Sequence, residues 1–158
     1  MPTGVRVACD VGSVRIGVAR CDASGFLAVP LEAVPAGDEA VGAILAVVEE
    51  WEATAVYVGL PLRMAGDEGP AAQAARTWAL ALAERSPVPV RLIDERLSTV
   101  QAQRGLHAAG RSTKSSRAVI DSASAVAVLQ SVLDRETRTG EPAGELVDGV
   151  RDSEGATP

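Results

Sequence analysis

A single histidine, two cysteines and four aromatic residues among 158 exclude several kinds of chemistry. One imidazole, His107, cannot build a multi-histidine zinc site, and two cysteines cannot replace it with thiolates. Any Ser-His-Asp or Cys-His mechanism would have to run through that same residue. Cys9 and Cys21 are too few for a disulfide framework. Cys9 reads as a small core residue, and Cys21, near a hairpin end, is the one that exposure would leave open to an intermolecular disulfide. No stretch approaches the ~18 apolar residues of a membrane span, and no basic-then-apolar signal segment opens the chain. The expectation is a soluble, cytoplasmic protein with no membrane contact. Phe26, Trp51, Tyr57 and Trp78 all fall in strand or helix patterns, so base stacking is a poor means of recognition here. Metal chemistry must rest on oxygen ligands, which suits Mg²⁺ or Mn²⁺.

What is present is enough for one core. Hydrophobic residues make up 47% of the chain and charged ones 23%, with a net charge of −6. From Asp134 onward there are seven acidic and three basic residues, with repeated Gly and Pro. Residues 137–158 therefore read as an acidic, disordered tail, and residues 1–136 as the folded domain. Between Arg96 and Ile120 there is no acid, but Arg96, Arg104, Arg111, Lys114 and Arg117 are present. Five cations without a counter-charge mark either a phosphate-contacting face or a solvated helix face.

The periodicity predicts strands over residues 5–10, 15–21 and 26–34, the first two joined as a hairpin through Gly12 and Ser13. Pro30 suggests that the third is an edge strand or carries a bulge. Helical spacing follows over 38–52, then a buried-type strand over 55–60, and a helix opened by Pro70 through about 85. A strand over 88–93 leads to a helix capped by Ser98 with Gln101 and ending near Gly110. A last helix runs from Ser116 to about 136. The sum is an α/β layer fold, a mixed sheet with helices on its faces.

Three carboxylates stand out. Asp10 ends the first strand and Glu95 follows the strand at 88–93; if those two strands are neighbours, both acids lie at the ends where open α/β sheets gather ligands. Asp121 lies early in a helix that is apolar nearly all round, where an unpaired carboxylate is costly. Small neighbours Ser122, Ser124 and Ala125 let that helix approach the sheet closely. Each acid also has an ordinary role open to it: turn former, partner of Arg96, or first-turn helix acid. Converging, the three would suit one or two divalent ions in phosphoryl transfer. Gly59, Arg63, Gly66 and Gly69 flank a loop before a helix N-terminus, which reads as a phosphate loop or as a plain connection.

The segments CDVGSVRIGVARCD, GLPLRMAGDEG, DERLSTVQAQ and KSSRAVIDSASAVAVLQSVL occur in that order between about Val5 and Asp134. Together they resemble the YqgF/RuvX family of the ribonuclease H-like superfamily. The resemblance implies a five-stranded mixed sheet flanked by helices, with Asp10, Glu95 and Asp121 as catalytic ligands for Mg²⁺ or Mn²⁺, one ion or two. It implies an endonuclease that matures the 5′ end of small-subunit ribosomal RNA or resolves four-way DNA junctions. On this reading Arg15 and Arg96 steady a phosphate or brace the acids. Arg104, Arg111, Lys114 and Arg117 would track the nucleic-acid backbone, with binding that weakens steeply in salt. Monomer and homodimer both remain open. Two rivals stand beside it. Asp10, Gly12 and Ser13 also resemble the first phosphate loop of actin-like ATPases, which close two such domains where this chain has one. A non-catalytic nucleic-acid-binding module in ribosome assembly or transcription would need the cations but not the acids.

Overall fold

The computed structural model describes residues 3–98 and 116–147. Short apolar runs between turn residues form one mixed sheet, and the periodic segments form helices on both of its faces. The chain passes through β1 (Arg6–Val11), β2 (Arg15–Cys21), β3 (Ala28–Pro35), α1 (Ala40–Trp51) and β4 (Ala55–Leu60). It continues through α2 (Pro70–Arg85), β5 (Val90–Asp94), a 3₁₀ turn (Glu95–Ser98), α3 (Ser116–Thr139) and β6 (Glu145–Leu146). The strand order is β3-β2-β1-β4-β5-β6. β1, β4 and β5 run parallel, and β2, β3 and β6 pair antiparallel with their neighbours.

Alternation along β1 sends Val7 and Cys9 to the core under α1 and α2, and Ala8 to the core under α3. Asp10, two residues past Ala8, therefore projects on the α3 side. In α2 the buried set Ala72, Ala75, Ala79 and Leu82 keeps helical spacing, behind Pro70 in the first turn. No residue from Asp121 to Leu133 of α3 is exposed, as its nearly all-round apolar sequence requires.

α3 crosses the sheet where β2 has no side chain. A Cβ on Gly17 would lie 2.7 Å from the Asp121 carbonyl oxygen and 3.2 Å from the Ser122 Cα. At the same place the β2–β3 register slips between Ile16 and Val18. Ser122, with no exposed surface, joins the two strands there. Its Oγ accepts from the Val18 N–H at 3.0 Å and donates to the Leu31 carbonyl at 2.8 Å. Each of those backbone groups, if left buried and unpaired, would cost about 1–3 kcal/mol.

The far end of α3 is fixed by charge. Arg6 on β1 and Glu136 are both nearly fully buried and lie 3.2 Å apart. The Tyr57 hydroxyl and the Ala143 N–H also donate to Glu136.

Several expectations are corrected. The sheet has six strands rather than five, and α3 runs to Thr139. Residues 140–147 are not a solvated tail. Ala143 is buried, β6 pairs with β5, and the Val147 N–H donates to the Val90 carbonyl. Arg91 donates to the carbonyls of Ala143 and Gly144, and Arg76 pairs with Glu145. Backbone hydrogen bonds and ion pairs hold this segment, so its low apolar content carried no sign of it. The remainder of the expected tail, 148–158, and the helix expected between Ser98 and Gly110 lie outside the described residues.

β3 is an edge strand, as Pro30 suggested, but it begins at Ala28 because Asp22 closes the preceding turn. The Asp22 carboxylate accepts from the N–H groups of Phe26 and Leu27, leaving Phe26 81% exposed instead of in a strand. Cys21 is buried rather than exposed and accepts from the Arg6 N–H, so an intermolecular disulfide is not open to it. Among the described residues no helix is long and apolar enough to cross a membrane.

Candidate active site

β1, β4 and β5 are parallel, so their carboxyl ends meet at one edge of the sheet. Asp10 stands near the end of β1, and Glu95 opens the turn after β5, with β4 between them. Glu95 spans that gap because β4 carries Gly59 at this level. A Cβ on Gly59 would lie 2.8 Å from both Cγ and Oε2 of Glu95. The Glu95 carboxyl thus lies over the β4 backbone, within hydrogen-bonding reach of Asp10. Burial, then the charge of Asp10, push its pKa from an ordinary 4.5 up to about 8. Two carboxyls brought together in a partly buried place form an oxygen-donor pair that a divalent cation fits, since its charge offsets their mutual repulsion.

Asp121 comes to the same end from above. Asp10 pairs with Gly17 in the β1–β2 register, and Gly17 is the residue on which the Asp121 backbone rests. Its half-buried carboxylate lies 3.9 Å from the Arg15 guanidinium. Arg15 is held in turn by the hairpin, in which the Gly12 N–H donates to the Arg15 carbonyl at 3.0 Å. Among the described residues no three His, Cys, Asp or Glu side chains are gathered closely enough to hold a metal ion. The structure joins Asp10 to Glu95, while Asp121 stands beside them, turned toward Arg15.

Arg96 is committed to its neighbour. It makes a two-pronged contact with Asp94, closest at 2.7 Å, and its guanidinium holds the Asp94 carboxyl below the usual carboxylate range. Its other arm reaches the carbonyls of Arg63 and Met64 at 3.5 Å. Arg96 therefore braces Asp94 and a loop, rather than Asp10, Glu95 or Asp121.

The loop before α2 is a closed turn. Leu62 bridges Glu68, the Arg63 N–H donates to the Asp67 carbonyl, and the Arg63 side chain pairs with Asp67 at 3.0 Å. Gly66 supplies the positive φ of +93° that the turn needs, and Gly69 precedes α2 with the Arg63 guanidinium against it. Of the four residues assigned to a phosphate loop, Gly59 belongs to β4 and serves Glu95, while Arg63 has its own counter-charge. Arg104, Arg111 and Lys114 lie outside the described residues, as do His107 and the side chain of Arg117.

Sequence reasoning missed Gly17, saw Ser122 only as a small residue, and did not foresee the place of Gly59 beneath Glu95. A signal existed for the glycines. An isolated glycine inside a strand pattern marks close approach by another chain segment, and both Gly17 and Gly59 fall in strands.

The family model described as "RuvX: Holliday junction resolvase" matches residues 4–135. The chain is 50% identical to a protein of Thermobifida fusca (strain YX) named "Putative pre-16S rRNA nuclease", over 95% of this chain and 99% of that one. It is 48% identical to a protein of the same name from Streptomyces coelicolor, over 95% of this chain and 92% of that one. Among solved structures it is similar in fold to Thermus thermophilus RuvC in complex with a Holliday junction substrate. That match has a TM-score of 0.59 at 20% identity, covering 89% of this chain and 99% of the other.

Proposed function

The chain belongs to the RuvX family, and on that premise we propose that it is a divalent-metal-dependent endonuclease that hydrolyses phosphodiester bonds in nucleic acid. The substrate we favour is the 5′ end of precursor small-subunit ribosomal RNA, processed in the cytoplasm, because relatives at 48–50% identity are named for that RNA. The observation that carries the reading is the contact between Asp10 and Glu95 across Gly59. Packing gives no reason to hold two carboxyls together in a desolvated place, whereas a cation site does.

Asp10 and Glu95, with Asp121 as the third ligand, would hold Mg²⁺ or Mn²⁺. When bound, such an ion supplies Lewis acidity toward phosphate oxygens and lowers the pKa of water. The chain's residues arrange the rest. Glu95 would hold the ion as a carboxylate. Arg15, more than half exposed beside Asp121, presents a guanidinium to a backbone phosphate. Arg96 keeps Asp94 neutralised, so that this acid does not compete with Glu95. Arg104, Arg111, Lys114 and Arg117 contribute sequence-independent attraction to the phosphate backbone.

A four-way DNA junction is the second substrate, favoured by the description of the family model. A resolvase must cut two strands, so a homodimer would be its working form, whereas a monomer suffices to trim an RNA end. The test is cleavage of labelled precursor ribosomal RNA and of a four-way junction, side by side, in Mg²⁺, Mn²⁺ or chelator. Metal-dependent cutting that is lost in Asp10→Asn is the expected result, and the preferred substrate names the pathway. Binding of both without cutting of either would instead establish a non-catalytic nucleic-acid-binding module.

A further inference from the structure

We propose that Ser122 is a positioning residue for the Asp121 carboxylate, acting through the β2–β3 ladder, an inference that rests on the endonuclease reading above. Ser122 has no exposed surface. Its hydroxyl is nevertheless fully committed, accepting from Val18 on β2 and donating to Leu31 on β3. Val18 and Leu31 are register partners immediately after the slip, so the helix is tied to both strands at the one irregular point of that ladder.

The location gives the tie its consequence. Ser122 follows Asp121 directly, so its two hydrogen bonds fix the height and rotation of α3 at the residue that carries the third acid. Gly17, just before Val18, is the residue on which the Asp121 backbone rests and the register partner of Asp10. A single spot on β2 therefore locates Asp10 from the side and Asp121 from above. Among the described residues the carboxylate of Asp121 makes only a long contact with Arg15, at 3.9 Å, which is too loose to hold a ligand in place. Its backbone must supply the order that its side-chain contact does not. Outer groups that orient ligands typically change metal affinity or activity by about 10–100-fold when removed.

A role confined to packing would make a different prediction, and the two separate cleanly. The proteins to compare are the wild type, Ser122→Ala, Ser122→Cys, Asp121→Asn and the double variant Ser122→Ala/Asp121→Asn. Melting temperature, the Mn²⁺ dissociation constant by titration calorimetry, and kcat and KM for cleavage are measured on each. The expected result for Ser122→Ala is an Mn²⁺ dissociation constant raised roughly tenfold, with kcat reduced and the substrate KM unchanged. The double variant should be no worse than Asp121→Asn alone, because both changes disable the same ligand. Wild-type Mn²⁺ affinity in a Ser122→Ala protein that is merely less heat-stable would overturn the proposal. So would a loss that adds in full to that of Asp121→Asn. If the alanine variant does not fold, Ser122→Cys, which fills similar space and hydrogen-bonds weakly, is read by the same criteria. A wild-type protein that cuts neither substrate would overturn the endonuclease reading, while the Mn²⁺ comparison would still decide the role of Ser122.

Discussion

Glu95 reaches Asp10 by lying across Gly59. Asp10 lies on β1 and Glu95 just after β5, and β4 separates the two strands. Only a residue without a side chain on β4 leaves room for the Glu95 carboxyl at that level, where an added Cβ would lie 2.8 Å from its Cγ and Oε2. Gly59 is thus a component of the site, although it carries no functional group.

Replacing Gly59 with Ala tests this at little cost to the fold. The atoms that a new Cβ would meet belong to the outer part of a flexible side chain, which can swing away, and the backbone conformation at Gly59 is an ordinary one. The expected outcome is a melting temperature close to wild type with Mn²⁺ affinity and cleavage reduced by roughly tenfold or more. Calorimetric titration with Mn²⁺, beside thermal unfolding by circular dichroism, checks both halves. An alanine variant that binds Mn²⁺ as tightly as wild type would show that the empty position at Gly59 is not what lets Glu95 serve the site.

The acid pair also predicts an unusual pH dependence of stability. The folded-state pKa of Glu95 is pushed up to about 8 from an ordinary 4.5. Between those values the native protein keeps a proton that the unfolded chain has released. The corresponding stability is complete below about pH 4.5 and is lost as pH rises through about 8. Urea unfolding in chelator should therefore show stability falling from pH 5 to pH 8. The Glu95→Gln variant should show a flatter profile over that range. Saturating Mg²⁺ should reverse the trend, since the ion binds the deprotonated pair and only in the folded state. A profile in chelator that matches the one in Mg²⁺ would sink the idea that the pair is a cation site.

Much of this was legible in the sequence, for reasons that also explain what was not. The hairpin, the parallel strands and the helices announced themselves through periodicity and turn residues, and Pro30 pointed to the edge strand. Asp10 and Glu95 were conspicuous because they sit at strand ends, where polar residues terminate apolar runs. The contact between them was not legible, since it depends on an empty position in a third strand. Ser122 was visible only as a small residue. Its role arises from a register slip between β2 and β3, which no periodicity reports. The segment 140–147 was misread because an ion pair from Arg76 and hydrogen bonds from Arg91 to backbone carbonyls, more than apolar burial, attach it to the sheet. Phe26 was misread because the Asp22 side chain closes the turn two residues later than hydropathy alone suggests.

Glu136 anchors the end of α3 remote from the acids, and its loss should be felt in the fold alone. It is 2% exposed and accepts from Arg6, Tyr57 and the backbone of Ala143. Glu136→Ala strands a buried guanidinium, removes the acceptor of a buried phenol and frees the segment that leads into β6. Breaking a buried pair from one side costs about 3–5 kcal/mol, whereas removing both charges together costs much less. Denaturant unfolding should therefore show a large loss for Glu136→Ala and a clearly smaller one for Arg6→Met combined with Glu136→Leu. Below the unfolding transition the double variant should bind Mn²⁺ with wild-type affinity, because Ser122 and Gly17 still fix the other end of the helix. A loss of Mn²⁺ affinity in that folded double variant would mean that α3 is positioned along its whole length rather than locally at Ser122.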